Sequence, residues 1–248
     1  MKKHKDILFL LALLLFLVLV SLYPQIRAFG HSYTNIVAKP HYHYQVEILP
    51  DGSLAALIFP EPSKDNSSAF SEAYLAQSRA QLDTLMQKDR NADVDVLALF
   101  VRPLNRDQAN KLLDSVHARV FESAVVGYQW GAPFAGYNIE QGPQLARSLD
   151  EIAADFPRTP EAKLQASGVF SKAFSNPEQP VDVRGYLAVR AIIPAYRLRA
   201  LVSHPLIRFV DATPQIVYEE IHSDPRWRDK APDHRHVRIE MPVWAYPW

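Results

Sequence analysis

Histidines are the residues of this chain with the plainest capacity for chemistry. His41 and His43 stand two apart in an alternating stretch, His41-Tyr42-His43-Tyr44. On a strand, residues two apart share a face, which suits a metal. Asp233-His234-Arg235-His236 would supply further ligands from near the other end of the chain. No third His or acid lies at a recognised spacing from either pair, so an exposed strand and a charged surface loop compete with a metal site. Serine chemistry has less support. There is no G-x-S-x-G elbow, and Ser171-Lys172 are adjacent rather than at the S-x-x-K spacing that shares a helix face. The acidic pairs Asp150-Glu151 and Glu219-Glu220 are sequence neighbours, which point apart on either kind of element. The chain has eight glycines and no G-x-G-x-x-G phosphate loop. No cofactor is expected. Trp244, Tyr246 and Trp248 close the chain, and such rings favour partner or membrane-interface contacts.

The elements that would position these residues begin at a membrane. Ile7 to Tyr23 is an uncharged run of seventeen residues behind three lysines, and Pro24 ends it. A bilayer core of ~30 Å needs roughly 17–25 apolar residues as helix. The lysine bias keeps the amino end inside, so the reading is a cytoplasmic tail (1–6), a transmembrane anchor (7–23) in membrane lipid, and an exported remainder. The alternative is a cleaved signal peptide, against which stand the length of the run and the large Ile26 in the best cleavage candidate, Ile26-Arg27-Ala28. Residues 24–44 read as a stalk, 45–221 as an exported domain, and 222–248 as a surface tail rich in Pro, Trp and His.

Composition narrows the function. Twenty-seven basic and twenty-seven acidic residues cancel, which argues against nucleic acid as a partner. The absence of cysteine excludes disulfides and thiolate metal sites.

Within the exported part, Tyr44 to Leu49 and Ser53 to Phe59 flank Pro50-Asp51-Gly52, a hairpin pattern. Ser68 to Asp89 has helical periodicity. Val94 to Val101 is a nearly continuous apolar strand; Asn105 and Gln108 form a capping box for a helix carrying Leu112, Leu113 and Val116; Phe121 to Trp130 is the returning strand. Helices are expected from Pro143 to Phe156 and from Thr159 to about Phe174. Val183 to Ile193, a short helix after Pro194, and Leu206 to Val210 repeat the strand–helix–strand theme. Ile216 to Ile221 reads as extended. Two such halves predict an α+β fold: a ferredoxin-like split strand–helix–strand sandwich outside the membrane, preceded by one transmembrane helix.

Ala92 to Trp130, with its apolar strand, proline turn, helix and aromatic-ended strand, and Arg184 to Asp211, with its Gly-aromatic strand, Leu-spaced helix and His204-Pro205-Leu206-Ile207, carry a resemblance. They resemble the extracytoplasmic C-terminal domain of membrane-bound sigma-factor regulators of Gram-positive bacteria. That family holds the sigma factor with the part before the membrane. Six residues precede the apolar run here, so the resemblance implies an exported sensory or partner-binding domain and not sigma binding. The function expected is regulation, sensing or assembly through an envelope protein or peptide partner. The alternative is a membrane-bound hydrolase or metal-dependent enzyme using the histidines.

Overall fold

A computed structural model describes residues 36–49, 51–63, 70–129, 132–140, 144–155 and 182–241. Residues 7–23, the predicted helix 159–174, and Trp244, Tyr246 and Trp248 lie outside the described residues. Among the described residues no helix is long and apolar enough to cross a membrane.

The chain is α+β. Strands β1 (Ile36–Lys39), β2 (Tyr42–Ile48) and β3 (Leu54–Pro60) form an antiparallel meander, with Gly52 at φ +85° in the predicted hairpin turn. Helix α1 (Glu72–Lys88) follows, starting later than Ser68 because Ser71 caps it by accepting from Tyr74 N. Then come β4 (Asp93–Leu104), α2 (Arg106–Ser115), β5 (Arg119–Gln129) and β6 (Ala132–Ile139). Helix α3 (Leu149–Asp155) starts later than Pro143, because Ser148 and Glu151 cap each other's amides. The last part is β7 (Asp182–Pro194), α4 (Ala195–Val202), β8 (Ile207–Asp211), α5 (Thr213–Ser223), two 3-10 turns at Arg228–Lys230 and His234–His236, and β9 (Val237–Glu240).

The capping box forms as predicted: Gln108 N donates to Asn105 Oδ1 at 2.9 Å, and Asn105 N to Gln108 Oε1 at 3.4 Å. The five-stranded sheet has the order β6-β5-β7-β4-β8, antiparallel at every pairing. Its two faces follow the period of two along β4. Val94, Val96, Ala98 and Phe100 enter a core with Leu112 and Leu113 of α2, Ile152 of α3 and Leu198 and Leu201 of α4. Leu97 and Leu99 face the opposite way, into a second core with Tyr44, Val46, Leu54 and Ile58 of the meander. Helix α1 passes the β8 edge and joins the two, with Tyr74 in the second core and Leu82 in the first.

Three expectations are corrected. The stalk does not extend to residue 44: Ile36–Lys39 and Tyr42 onward are strands, and Tyr42 and Tyr44 are buried in the sheet–sheet core. The segment from 222 is no surface tail over its described part. β9 pairs in parallel with β3, completing a sheet of order β1-β2-β3-β9, and Val237 and Ile239 are buried. Ile216 to Ile221 is helix, since Pro214 opens α5 and Val217 and Ile221, four apart, both enter the core. The one-faced sandwich is thus a three-layer arrangement, with α2, α3 and α4 on one face of the larger sheet and the smaller sheet together with α5 on the other.

Candidate functional site

The face of β4, β5 and β7 turned toward the smaller sheet carries charges where the pattern calls for apolar residues. Arg190 on β7 stands opposite Glu122 on β5 and opposite Leu97 on β4; Asp95 lies two residues before Leu97, on the same face. The backbone registers therefore force these three side chains together. Arg190 Nε donates to both Asp95 oxygens at 3.0 Å, and Nη2 to Oδ2 at 2.6 Å. Nη1 donates to Glu122 Oε1 at 2.8 Å and to the Val237 carbonyl at 2.5 Å, and Nη2 to the His234 carbonyl at 3.2 Å. Ile239 N donates to Glu122 Oε1 at 3.2 Å. The guanidinium thus ties the carboxyl-terminal strand to the larger sheet.

One cation serves two carboxylates, and they respond differently. Burial pushes Asp95 up, but the Arg190 charge and hydrogen bonds from His234 and Arg190 outweigh it and hold Asp95 below the usual range. Burial also pushes Glu122 up, and there the Arg190 charge does not overcome it, with Asp95 nearby adding to the rise. His234 Nδ1 lies 3.0 Å from Asp95 Oδ2, and its ring stacks on Tyr218 at 3.6 Å between centroids.

Beside this cluster opens a cleft of about 430 Å³ at one end of the sheet–sheet seam. The β2–β3 turn contributes Leu49, Asp51 and Ser53; the start of β5 contributes Val120, Phe121 and Glu122; Glu140 follows β6; and Arg235, His236 and Arg238 come from the segment entering β9. Glu140 is buried, and it accepts from Ser123 Oγ at 2.6 Å and from Ala146 N at 3.4 Å. Asp51, at the rim, accepts from the Ser53 hydroxyl and amide, which hold its carboxyl below the usual range. The Arg235 guanidinium lies 5.8 Å from the centre of the Phe121 ring, and among the described residues it makes no ion pair.

The predicted histidines are placed otherwise. His41 precedes β2 in a turn at φ +64°, with Nδ1 2.9 Å from Glu61 Oε2. His43 stacks on Phe59 at 4.9 Å. His236 Nδ1 lies 2.9 Å from Asp233 Oδ1. His43 pairs with Phe59 near one end of β3, whereas Val237 pairs with Leu54 at the other. Five residues of strand, roughly 17 Å at ~3.3 Å each, separate the two sets. Among the described residues no group of three or more metal-capable side chains comes together. Of Glu219 and Glu220, the first accepts from Gln215 Nε2 and the second pairs with Lys39 and Tyr44.

Another buried acid, Asp211, is saturated by Tyr74, by Ser78 Oγ at 2.8 Å and by Thr213 N at 2.8 Å, and serves to fasten α1 to β8. Sequence reasoning missed Asp95, Glu122, Arg190 and Glu140. The available signal was Asp95 and Arg190 interrupting the apolar runs of β4 and β7. The chain matches no family model, no curated protein and no solved structure.

Proposed function

We propose that this chain is a single-pass membrane-anchored protein whose exported domain acts in regulation, sensing or assembly by binding an envelope protein or peptide at the cleft. The observation that carries the reading is the cleft's lining. The Arg235 guanidinium over the Phe121 ring, with no ion pair among the described residues, the apolar side chains of Leu49 and Phe121, and the buried carboxyls of Glu122 and Glu140 line one concavity at the junction of the two sheets. Such mixed linings fix orientation through a few polar groups while apolar contact supplies most of the binding.

The anchor is supported by the run Ile7–Tyr23 and its lysine flank. The ferredoxin-like reading of the larger sheet is supported by the order β5-β7-β4-β8, in which each strand–helix–strand half straddles the other, with β6 added at one edge. The resemblance to the exported domains of membrane-bound sigma-factor regulators rests on those same halves and agrees with a partner-binding role.

The test is a photo-crosslinking residue at Ser53, on the cleft rim, in the full chain expressed in its membrane. A discrete protein or peptide adduct at Ser53, missing from the exposed control position Asp83 and lost when Phe121 is truncated to Ala, is expected. Equal adducts at both positions would overturn the reading.

A further inference from the structure

The first described strand enters the domain at the end that carries the cleft. Ile36 pairs with Gln45 and Lys39 with Tyr42, so β1 starts on the side of the β2–β3 turn. That turn and the start of β5 line the cleft together. Arg119 pairs with Ile192 and Asp93 with Pro194, so β4 begins and β7 ends there too. The approach to β4 and the start of α4 are joined at this end. Ala195 N donates to the Ala92 carbonyl at 2.9 Å, and Tyr196 N to the Arg90 carbonyl at 3.0 Å.

Those hydrogen bonds gather a basic corner. Lys88 closes α1 and Arg90 follows it, both exposed; Arg197 and Arg199 lie on α4. None of the four makes an ion pair among the described residues. Arg119, at the same end, is cancelled by Asp93. Asp83, in the last turns of α1, and Asp89 are the acids left beside the corner, so four cations stand against two carboxylates. Arg197 Nε is buried without a hydrogen-bond partner, so the fold offers it no acceptor; the guanidinium lies 5.2 Å from the centre of the Tyr196 ring. Tyr196 is 47% exposed and Val202, on the same helix, 45%. Unpaired cations beside exposed aromatic and aliphatic groups suit an anionic lipid surface, where charge meets phosphate and rings lie at headgroup level.

We propose that this corner docks on anionic lipid of the bilayer that anchors the chain, turning the cleft-bearing end of the domain toward the membrane. This rests on the anchored reading above. Residues 24–35 separate the apolar run from Ile36, a reach of at most ~40 Å, so the anchor holds this end of the domain close to lipid. Tethering raises the local concentration, so weak docking suffices. Each Lys or Arg near such a surface adds roughly fivefold to affinity. A partner in the cleft is then met close to the bilayer.

The chain has no cysteine, so a single fluorophore can be attached at a chosen residue. The experiment labels Ala200→Cys, exposed on α4, or Asp107→Cys, exposed on α2 beyond the other end of β4. The full chain is reconstituted in bilayer nanodiscs carrying a lipid with a spin-labelled headgroup, which quenches fluorophores near it. The discs hold phosphatidylcholine alone, or two parts of it to one part phosphatidylglycerol. In the anionic discs, quenching at 200 is expected to exceed quenching at 107 several-fold. The difference should vanish in phosphatidylcholine discs and at high salt. It should also vanish in the variant Lys88→Glu, Arg90→Glu, Arg199→Glu, whose three positions are exposed and outside both cores. Equal quenching at 200 and 107 in anionic discs would overturn the proposal and leave the corner to an acidic protein surface. A difference that survives the charge reversal would overturn it as well. Retention on phosphatidylcholine discs reads the anchor separately. Release from them overturns the anchored reading and this proposal with it, whereas retention without lipid contact at 200 in anionic discs overturns the docking alone.

Discussion

Arg190→Met is the substitution whose consequences the structure specifies most fully. Methionine keeps most of the aliphatic volume, so packing changes little and the effect is electrostatic. Six donor contacts vanish, to Asp95, Glu122 and the carbonyls of His234 and Val237. Two buried carboxylates are left without their cation. Removing one partner of a buried ion pair costs about 3–5 kcal/mol, and an orphaned buried carbonyl adds roughly 1–3 kcal/mol. Partial protonation of the acids relieves some of this, so a loss of about 4–5 kcal/mol is expected. That is a large part of the ~5–15 kcal/mol that holds an ordinary domain folded. Urea denaturation of the full chain in micelles at pH 7 measures it. The loss should also be local, because Arg190 and Glu122 hold β9 at Val237 and Ile239. Amide exchange at Arg238–Glu240 should rise more than at Val96–Leu99. The triple variant Arg190→Met, Asp95→Leu, Glu122→Gln, lacking every charge of the cluster, should recover stability relative to Arg190→Met alone. A cost below about 1 kcal/mol with unchanged exchange at Ile239 would refute the argument, since it would mean that the cluster is hydrated and β9 is held by strand pairing alone.

The cluster also sets a pH profile. Asp95 sits low when folded, so its contribution is complete above the usual carboxylate range and is lost as pH falls through its folded value. Glu122 sits high, so the folded state binds its proton more tightly and stability declines as pH rises through its folded value. Denaturation across a pH series should peak in the mildly acidic range, and Glu122→Gln should flatten the upper flank while leaving the acid limb. Gly185 stands at φ +154°, where an added Cβ would meet the Leu104 carbonyl at 2.7 Å, so Gly185→Ala should cost roughly 2–3 kcal/mol in the same denaturation assay. Asn105→Ala removes an exposed capping box and should cost about 1 kcal/mol with little change in exchange at β9. For the anchored topology, protease added outside intact cells should degrade the exported domain, and protection until the membrane is opened would reverse the orientation.

Local elements were legible where local chemistry decides them. Asn105 and Gln108 announced α2 because both halves of a capping box lie within four residues. The β2–β3 hairpin was legible because Gly52 supplies the positive φ that its turn requires. Ile216–Ile221 misled because β-branched residues favour strands when nothing else competes. Pro214 and the stripe of Val217 and Ile221 against the second core reversed that preference. His41 and His43 looked like a same-face pair, and the turn at His41 broke the alternation on which that depends.

The amino-acid order by itself determined the apolar run, the strand and helix alternation of the larger sheet apart from β6, the absence of thiol chemistry and the charge balance that argues against nucleic acid. These follow from composition and short-range periodicity, which need no knowledge of what lies across the fold. Only the tertiary structure decided that Asp95, Glu122 and Arg190 meet, that a segment almost 140 residues further along closes over Asp95, and that a cleft opens beside them. Strand register and a parallel pairing between β3 and β9 bring these residues together. Register depends on which strands become neighbours, a long-range outcome of burying two apolar faces at once that no local window of sequence contains.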